Sequence, residues 1–371
     1  MKRISEEAFA SEALKAIKRE ARDDDDTNGD STGSEEADEI GNAEDTKPKG
    51  TLQLDATCCP SDIKFPTDIN LLNHARELTE IMIDLLHECF KGQAMAKMRT
   101  YREVARKAYL AFAKMRKFTH EQLRNAISQQ LQYVRRNLDS IAKMVELGAD
   151  LGCLGKELYH KLLVISELYR QQKLMYDEKT NKIEDRIVSI SQPHLRPIVR
   201  GKARTPVEFG AKIATAHIGG FSFVIHLAYD NFSEAKYLEA SAEEYKRMFG
   251  FYPKVIIGDN AYGTLDNRRY CKTKGIRLSA PKLGRKSEEE KETERKQLYE
   301  DNCRRNAIEG SYGTGKRKYG LDLIMTKLFD TTLTAISLKF FVKNMERILR
   351  ILSFAKFLRI PLNSRLRTQN F

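Results

Sequence analysis

Two short apolar runs, Leu52-Gln53-Leu54 and Val255-Ile256-Ile257, lead into aspartates: Asp55 directly, and Asp259 after a single glycine. Runs of this length bounded by turn residues read as buried strands. A strand that stops on an acid places a carboxylate at the rim of a sheet. A third acid, Glu309 in Arg305-Asn306-Ala307-Ile308-Glu309-Gly310, lies in a segment that reads as helix. Carboxylates converging from two strand ends and a helix face make a hard oxygen cage suited to divalent cations. Such a cage is the usual basis of two-metal phosphoryl transfer on nucleic acid. Asp185 and Asp230 are rivals for the first acid, although Asp185 precedes a strand and Asp230 ends what reads as the third one.

The charge distribution points the same way. The chain of 371 residues carries a net charge of +12. Between Asp23 and Asp45 there are eleven acidic residues and no Lys or Arg, so the rest of the chain carries +23. A strongly positive body attracts polyanions, although charge alone specifies neither fold nor chemistry. No window approaches 18 apolar residues, and Met-Lys-Arg-Ile-Ser-Glu-Glu at the start has no apolar signal core. These features speak against a membrane span and against secretion, and for a cytoplasmic protein. Six cysteines occur without a CxxC pair, which argues against a disulfide framework or a structural zinc site and for reduced thiols.

The pattern along the chain gives an order of elements. Residues 1–50 read as a short helix followed by an acidic, disordered linker. Residues 51–66 hold the first strand. Residues 67–182 are helical at three- and four-residue apolar spacing, with helices near 69–90, 101–118, 121–147 and 156–176. Basic side chains of this block, among them Arg99, Arg102, Arg106, Lys107, Arg135 and Arg136, are each better read as solvated helix faces than as DNA contacts. Residues 183–357 return to mixed texture. Arg186–Ile190 is β-like, and strands at 207–218 and 221–229 are joined by Gly219-Gly220, a hairpin signal. A helix capped by Ser233, a strand at 255–257, a helix at 266–274 and a strand at 276–278 follow. A polar, mobile loop at 281–295 leads into a helix at 302–317, and an apolar helical stretch runs from Leu321 to Phe357. Residues 358–371 are a tail. The expected fold is α/β: a ribonuclease-H-like mixed sheet flanked by helices, with a large all-helical insertion after the first strand.

Several phrases carry a resemblance. Leu54-Asp55-Ala56-Thr57, Ser191-Gln192-Pro193-His194-Leu195-Arg196-Pro197, Val207-Glu208-Phe209-Gly210-Ala211-Lys212, Gly258-Asp259-Asn260-Ala261-Tyr262 and Arg305-x3-Glu309-x6-Lys316 resemble DDE-type transposases of bacterial insertion sequences. The likeness extends over roughly residues 50–350, and the group it points to carries a helical insertion after the first strand. Asn302 stands where the family pattern usually begins with Tyr, and the stretch before Asp55 suggests an N-terminally shortened copy. The resemblance implies that Asp55, Asp259 and Glu309 are catalytic metal ligands. It also implies two Mg²⁺ ions, with Mn²⁺ as a substitute. The implied activity is DNA cleavage and strand transfer on double-stranded DNA, at the element's terminal inverted repeats and at target DNA, by a homodimer on the DNA ends in a bacterial, nucleoid-associated setting. Arg305, Lys316, Asn302, Arg196, Lys202 and Lys212 are the expected DNA contacts.

Three readings follow. One is an active transposase. A second is a truncated, catalytically inactive DNA-binding derivative that inhibits transposition. A third is a host nuclease on the same fold. His194 and His217 read as hydrogen-bonded structural residues. Gly313-Thr314-Gly315-Lys316 lacks the full phosphate-loop pattern, so nucleotide hydrolysis is not expected.

Overall fold

The structure is a computed structural model that describes Ala13, Lys15 and residues 47–89, 97–199 and 207–357. The expected N-terminal helix, the acidic linker up to residue 46, Lys202 and the tail lie outside the described residues. The contacts divide the chain into two units, Met1–Ser61 with Ala211–Phe371, and Asp62–Gly210.

The first unit is built on a mixed sheet. Its strands are β1 (Thr51–Pro60), β3 (Val207–Ile218, which enters this unit at Ala211), β4 (Phe221–Ala228), β5 (Val255–Ile257) and β6 (Arg277–Leu278). β3 pairs with β1 and, antiparallel, with β4; β1 pairs parallel with β5, and β5 parallel with β6. Val255, Ile256 and Ile257 are all buried, as an interior parallel strand requires. The β3–β4 hairpin closes at Gly219 and Gly220 with φ of 55° and 81°. A two-residue turn of this hand needs positive φ at both positions, which glycine adopts without steric cost.

Around the sheet lie α5 (Leu238–Phe249), α6 (Leu265–Thr273), α7 (Glu288–Tyr319) and α8 (Phe329–Phe357). Leu52, Leu54, Ile218, Phe221, Leu238, Tyr245 and Ile256 form the core between sheet and helices. The mixed sheet with its helices is α/β and compatible with a ribonuclease-H-like transposase fold.

The second unit is helical: α1 (Asp68–Cys89), α2 (Arg102–Ala113), α3 (His120–Glu146) and α4 (Gly155–Asp177). Leu72, Met82, Ile83, Leu86, Val134, Met144, Ile165 and Leu168 fill its core. Thr119 and Gln122 close a reciprocal capping box at the start of α3. Arg76 is buried beside Glu80 at 2.6 Å, and Asn73 Oδ1 accepts from its other nitrogen at 2.8 Å. A short strand β2 (Pro197–Val199) pairs antiparallel with the first residues of β3 in this unit.

Some elements differ from the sequence pattern. Arg186–Ile190 is not a strand, because the Ile187 N–H is satisfied by the Gln171 side chain at 2.9 Å instead of by a neighbouring strand. Ser233 does not cap a helix with its side chain; Glu234–Tyr237 is a 3₁₀ turn that leads into α5. Residues 288–295, read as loop, already belong to α7, which Ser287 and Glu290 start with a capping box.

Candidate active site

Asp55 sits within β1, not at its end. The parallel register pairs Leu52 with Ile256 and Gln53 with Ile257. β5 then stops while β1 continues. Extended two residues beyond the paired ones, that register would bring Asp55 opposite Asp259, and the charge of Asp259 does reach Asp55. Side chains alternate between faces with period two, so both aspartates fall on one face. Asp259 caps the 3₁₀ turn Asn260–Tyr262 and accepts from the Asn260 N–H at 2.6 Å. This turn is held against the turn at Glu234–Tyr237 by Asn267, whose amide donates to Tyr262 O at 2.9 Å and to Ala235 O at 3.0 Å.

The third acid is on α7, where Gly310, Gly313 and Gly315 cast doubt on a regular helix; the helix nonetheless runs unbroken to Tyr319. Each interior glycine costs about 1 kcal/mol relative to alanine. Buried anchors offset this: Ile308 and Tyr312 on the inner face, and Asp301, which receives both terminal nitrogens of Arg277 at 2.7 and 2.8 Å. Gly315 allows Leu321 to lie so close that a Cβ there would meet it at 2.8 Å. Continuity of the helix places Arg305 one turn before Glu309. The Arg305 guanidinium reaches Asp259 Oδ1 at 3.4 Å and Glu309 Oε1 at 3.7 Å. Its buried Nε has no hydrogen-bond partner among the described residues. Lys316 is half-buried on the same helix, with no ion-pair partner among the described residues.

Burial pushes the Asp55 carboxyl up to about 6. The Ala56 N–H, 2.8 Å from Oδ1, and the charge of Arg305 counter this, while Glu234 and Asp259 add to it. Tyr262 and Tyr312 are likewise raised, first by burial and then by the surrounding acids, Asp55 among them. Asp55, Asp259, Glu234 and Arg305 therefore share one electrostatic environment, walled by two tyrosines. Thr215 joins it: its hydroxyl is 2.5 Å from Tyr312 OH and 3.5 Å from Asp55 O.

The donor set is all oxygen and carries several negative charges, which suits a hard divalent cation. Among the described residues, however, no three His, Cys, Asp or Glu side chains are grouped closely enough to hold a metal as they lie. The acids face Arg305, whose cation stands between Asp259 and Glu309.

The other expected residues are placed as follows. Lys212 turns inward, 3.0 Å from Glu234 and donating to Asn231 Oδ1 at 3.1 Å and Phe232 O at 2.8 Å. Arg196 belongs to the helical unit, where it pairs with Asp185 at 3.4 Å and donates to the carbonyls of Pro193 and Leu195. Asp185 lies in that unit at a positive φ of 51°, and Asp230 is exposed after β4. Asn302 is exposed, one turn before Arg305. Sequence reasoning missed Glu234, Tyr262 and Tyr312. Tyr312 was within reach, since it lies three residues after Glu309 on one helix; Glu234 follows a strand end but sits in a turn with no periodicity.

No helix among the described residues is long and apolar enough to cross a membrane. Comparison with curated proteins and with solved structures gives no match. Residues 256–346 do match the family model of the transposase DDE domain. That span contains Asp259, Arg305, Glu309 and Lys316, and begins after Asp55. Two of the three expected acids and the arginine between them thus lie inside the segment that is similar to the transposase DDE domain.

Proposed function

We propose that this chain is a metal-dependent DNA transposase that cleaves and joins strands at the inverted repeats of an insertion sequence. Asp55, Asp259 and Glu309 are its acidic set. The observation that carries the reading is Arg305 standing between Asp259 and Glu309, close enough to Asp55 for the charges of Arg305 and Asp259 to act on it. Asp55, Asp259 and Glu309 would hold Mg²⁺ or Mn²⁺. Such an ion activates an attacking oxygen and offsets charge on the phosphate.

The chain's own residues do the rest. The Arg305 fork leaves its acids for a phosphate oxygen, for which its unpartnered Nε is a spare donor. Lys316 adds a point charge along the backbone. Lys212 is committed to Glu234 and so steadies the acidic corner from within. Asp55 must shed its proton before it ligates, and the Arg305 charge and the Ala56 N–H favour that loss. Asn302, exposed on α7, is the remaining DNA contact. In this reading the helical unit is an insertion into the catalytic fold, and a homodimer brings two DNA ends together.

The test is a cleavage and strand-transfer assay with labelled inverted-repeat duplexes, in Mg²⁺ and in EDTA. Metal-dependent nicking at the repeat boundary, abolished in Asp55→Ala, Asp259→Ala and Glu309→Ala, is the expected result. Tight repeat binding without nicking under any metal would overturn it in favour of a DNA-binding derivative. Nicking with no preference for repeats would indicate a general nuclease.

A further inference from the structure

The sheet unit contains a pocket of about 620 Å³ between the start of β1, the β3–β4 turn, α7 and α8. Two cations of α8, one turn apart, line it. Lys343 is half-buried and donates to the hydroxyls of Ser222, at 2.7 Å, and Ser311. Arg347 is fixed at the rim: Nη2 donates to Gly219 O at 2.9 Å, and the guanidinium lies over the Phe221 ring at 5.3 Å. A Cβ on Gly220 would meet it at 2.2 Å, so a glycine turn is what allows this seat.

Among the described residues neither cation has a carboxylate partner. The acid nearest in sequence, Glu346, is taken by Lys318, Tyr319 and Arg350. Polar groups complete the lining: Gln53, Thr314 and Asn344, with Arg350 at the mouth. Arg347 stays exposed, but Lys343 is half withdrawn from water, and such a cation is normally paired, because desolvation is costly unless an opposite charge compensates it. Burial, and then the charge of Arg347, hold the Lys343 ammonium down to about 8, as expected of a cation awaiting its counter-ion.

We infer that this pocket is a binding site for a phosphate group, seated on Lys343 and Arg347 with the Ser311 hydroxyl as a further donor. A guanidinium and an ammonium side by side suit the charge and the several acceptor oxygens of phosphate. The phosphate can come from a nucleic-acid backbone or from a free phosphate or diphosphate. The site does not depend on the cleavage reading. It is joined to the acidic corner, however, by a chain of hydrogen bonds. Ser222 Oγ lies 3.0 Å from His217 Nδ1, His217 Nε2 lies 3.2 Å from Thr215 Oγ1, and Thr215 reaches Tyr312 and Asp55 O.

The test is calorimetric titration of the full chain without divalent metal, using pyrophosphate in one arm and a short single-stranded deoxyoligonucleotide in the other. The variants are Lys343→Met with Arg347→Gln, and Lys246→Gln as an off-pocket control. Binding of either probe that weakens at least tenfold in the double variant, but not in the control, supports the site. The probe that binds tells which source supplies the phosphate. Equal binding by wild type and double variant, or binding of neither probe, overturns it. Should the double variant not fold, the wild type still decides. Pyrophosphate or oligonucleotide that slows acetylation of Lys343, read by peptide mass spectrometry, supports the site, and an unchanged rate refutes it. Loss of nicking with retained phosphate binding would sink the proposed function and leave this inference standing.

Discussion

Arg305 on α7 lies 3.4 Å from Asp259, which belongs to a different element and follows β5. One cation thus holds together acids that would otherwise repel each other. In Arg305→Ala that repulsion is uncovered, and a divalent ion is the natural replacement. The metal-free variant should melt below wild type, and Mg²⁺ or Mn²⁺ should raise its melting temperature more than it raises that of wild type. DNA cleavage should fall at least tenfold. Melting curves with and without metal check this; identical metal shifts would show that Arg305 and metal do not compete for the acids.

Asp55 sets a pH dependence. Its folded pKa, about 6, lies above the ordinary 3.8, so the neutral form is favoured in the fold. The associated stability is present below 3.8 and is lost as pH rises through 6. The metal-free chain should therefore lose stability across that window, and Asp55→Asn should lack this loss. A ligand must be deprotonated, so apparent Mg²⁺ affinity should fall about tenfold per pH unit below that pKa. Chemical denaturation and metal titration between pH 4 and about 7.5 read both effects.

Gly258 is a matter of space. A Cβ at this position would lie 2.6 Å from Tyr262 Cδ2, inside the turn that Asp259 caps. Gly258→Ala should cost about 1–3 kcal/mol by forcing the ring aside. It should also reduce cleavage more than it reduces DNA binding, because Asp259 moves with the turn. Urea unfolding and a binding assay beside the cleavage assay separate the two effects.

In the helical unit Arg76 is 1% exposed and its main partner is Glu80. Removing that partner strands a buried charge. Glu80→Ala should destabilise by about 3–5 kcal/mol, whereas Arg76→Met with Glu80→Leu should be close to neutral. Urea unfolding of both variants checks this; a small effect of Glu80→Ala would mean that Asn73 and Glu77 suffice to hold the guanidinium.

The strongly periodic features were legible in the sequence. The four helices of Asp62–Gly210, the Gly219-Gly220 hairpin and the strands at Thr51 and Val255 follow from spacing and turn chemistry alone. The places that misled are those where side chains replace backbone pairing. Gln171 satisfies Ile187, so a β-like run stays out of the sheet. The α7 glycines cast doubt on the regularity of a helix that the pattern does predict over 302–317, since nothing local shows that Ile308, Tyr312 and Asp301 anchor it from within. Glu234 reaches the acidic corner only because Asn267 ties two turns together across the chain. Lys343 and Arg347 were hidden in a stretch read for its apolar stripe, and the polar breaks in that stripe were the signal to follow.

The β1–β5 register carries one more consequence, for how such a chain tolerates change in length. Which face Asp55 presents is decided by the pairing of Thr51–Gln53 with Val255–Ile257, and by the even spacing from there to each aspartate. Deleting or inserting one residue between Gln53 and Asp55, or between Ile257 and Asp259, would turn an acid to the opposite side of the sheet. By contrast, loops far from this ladder can grow or shrink without altering the parity on which the two aspartates depend.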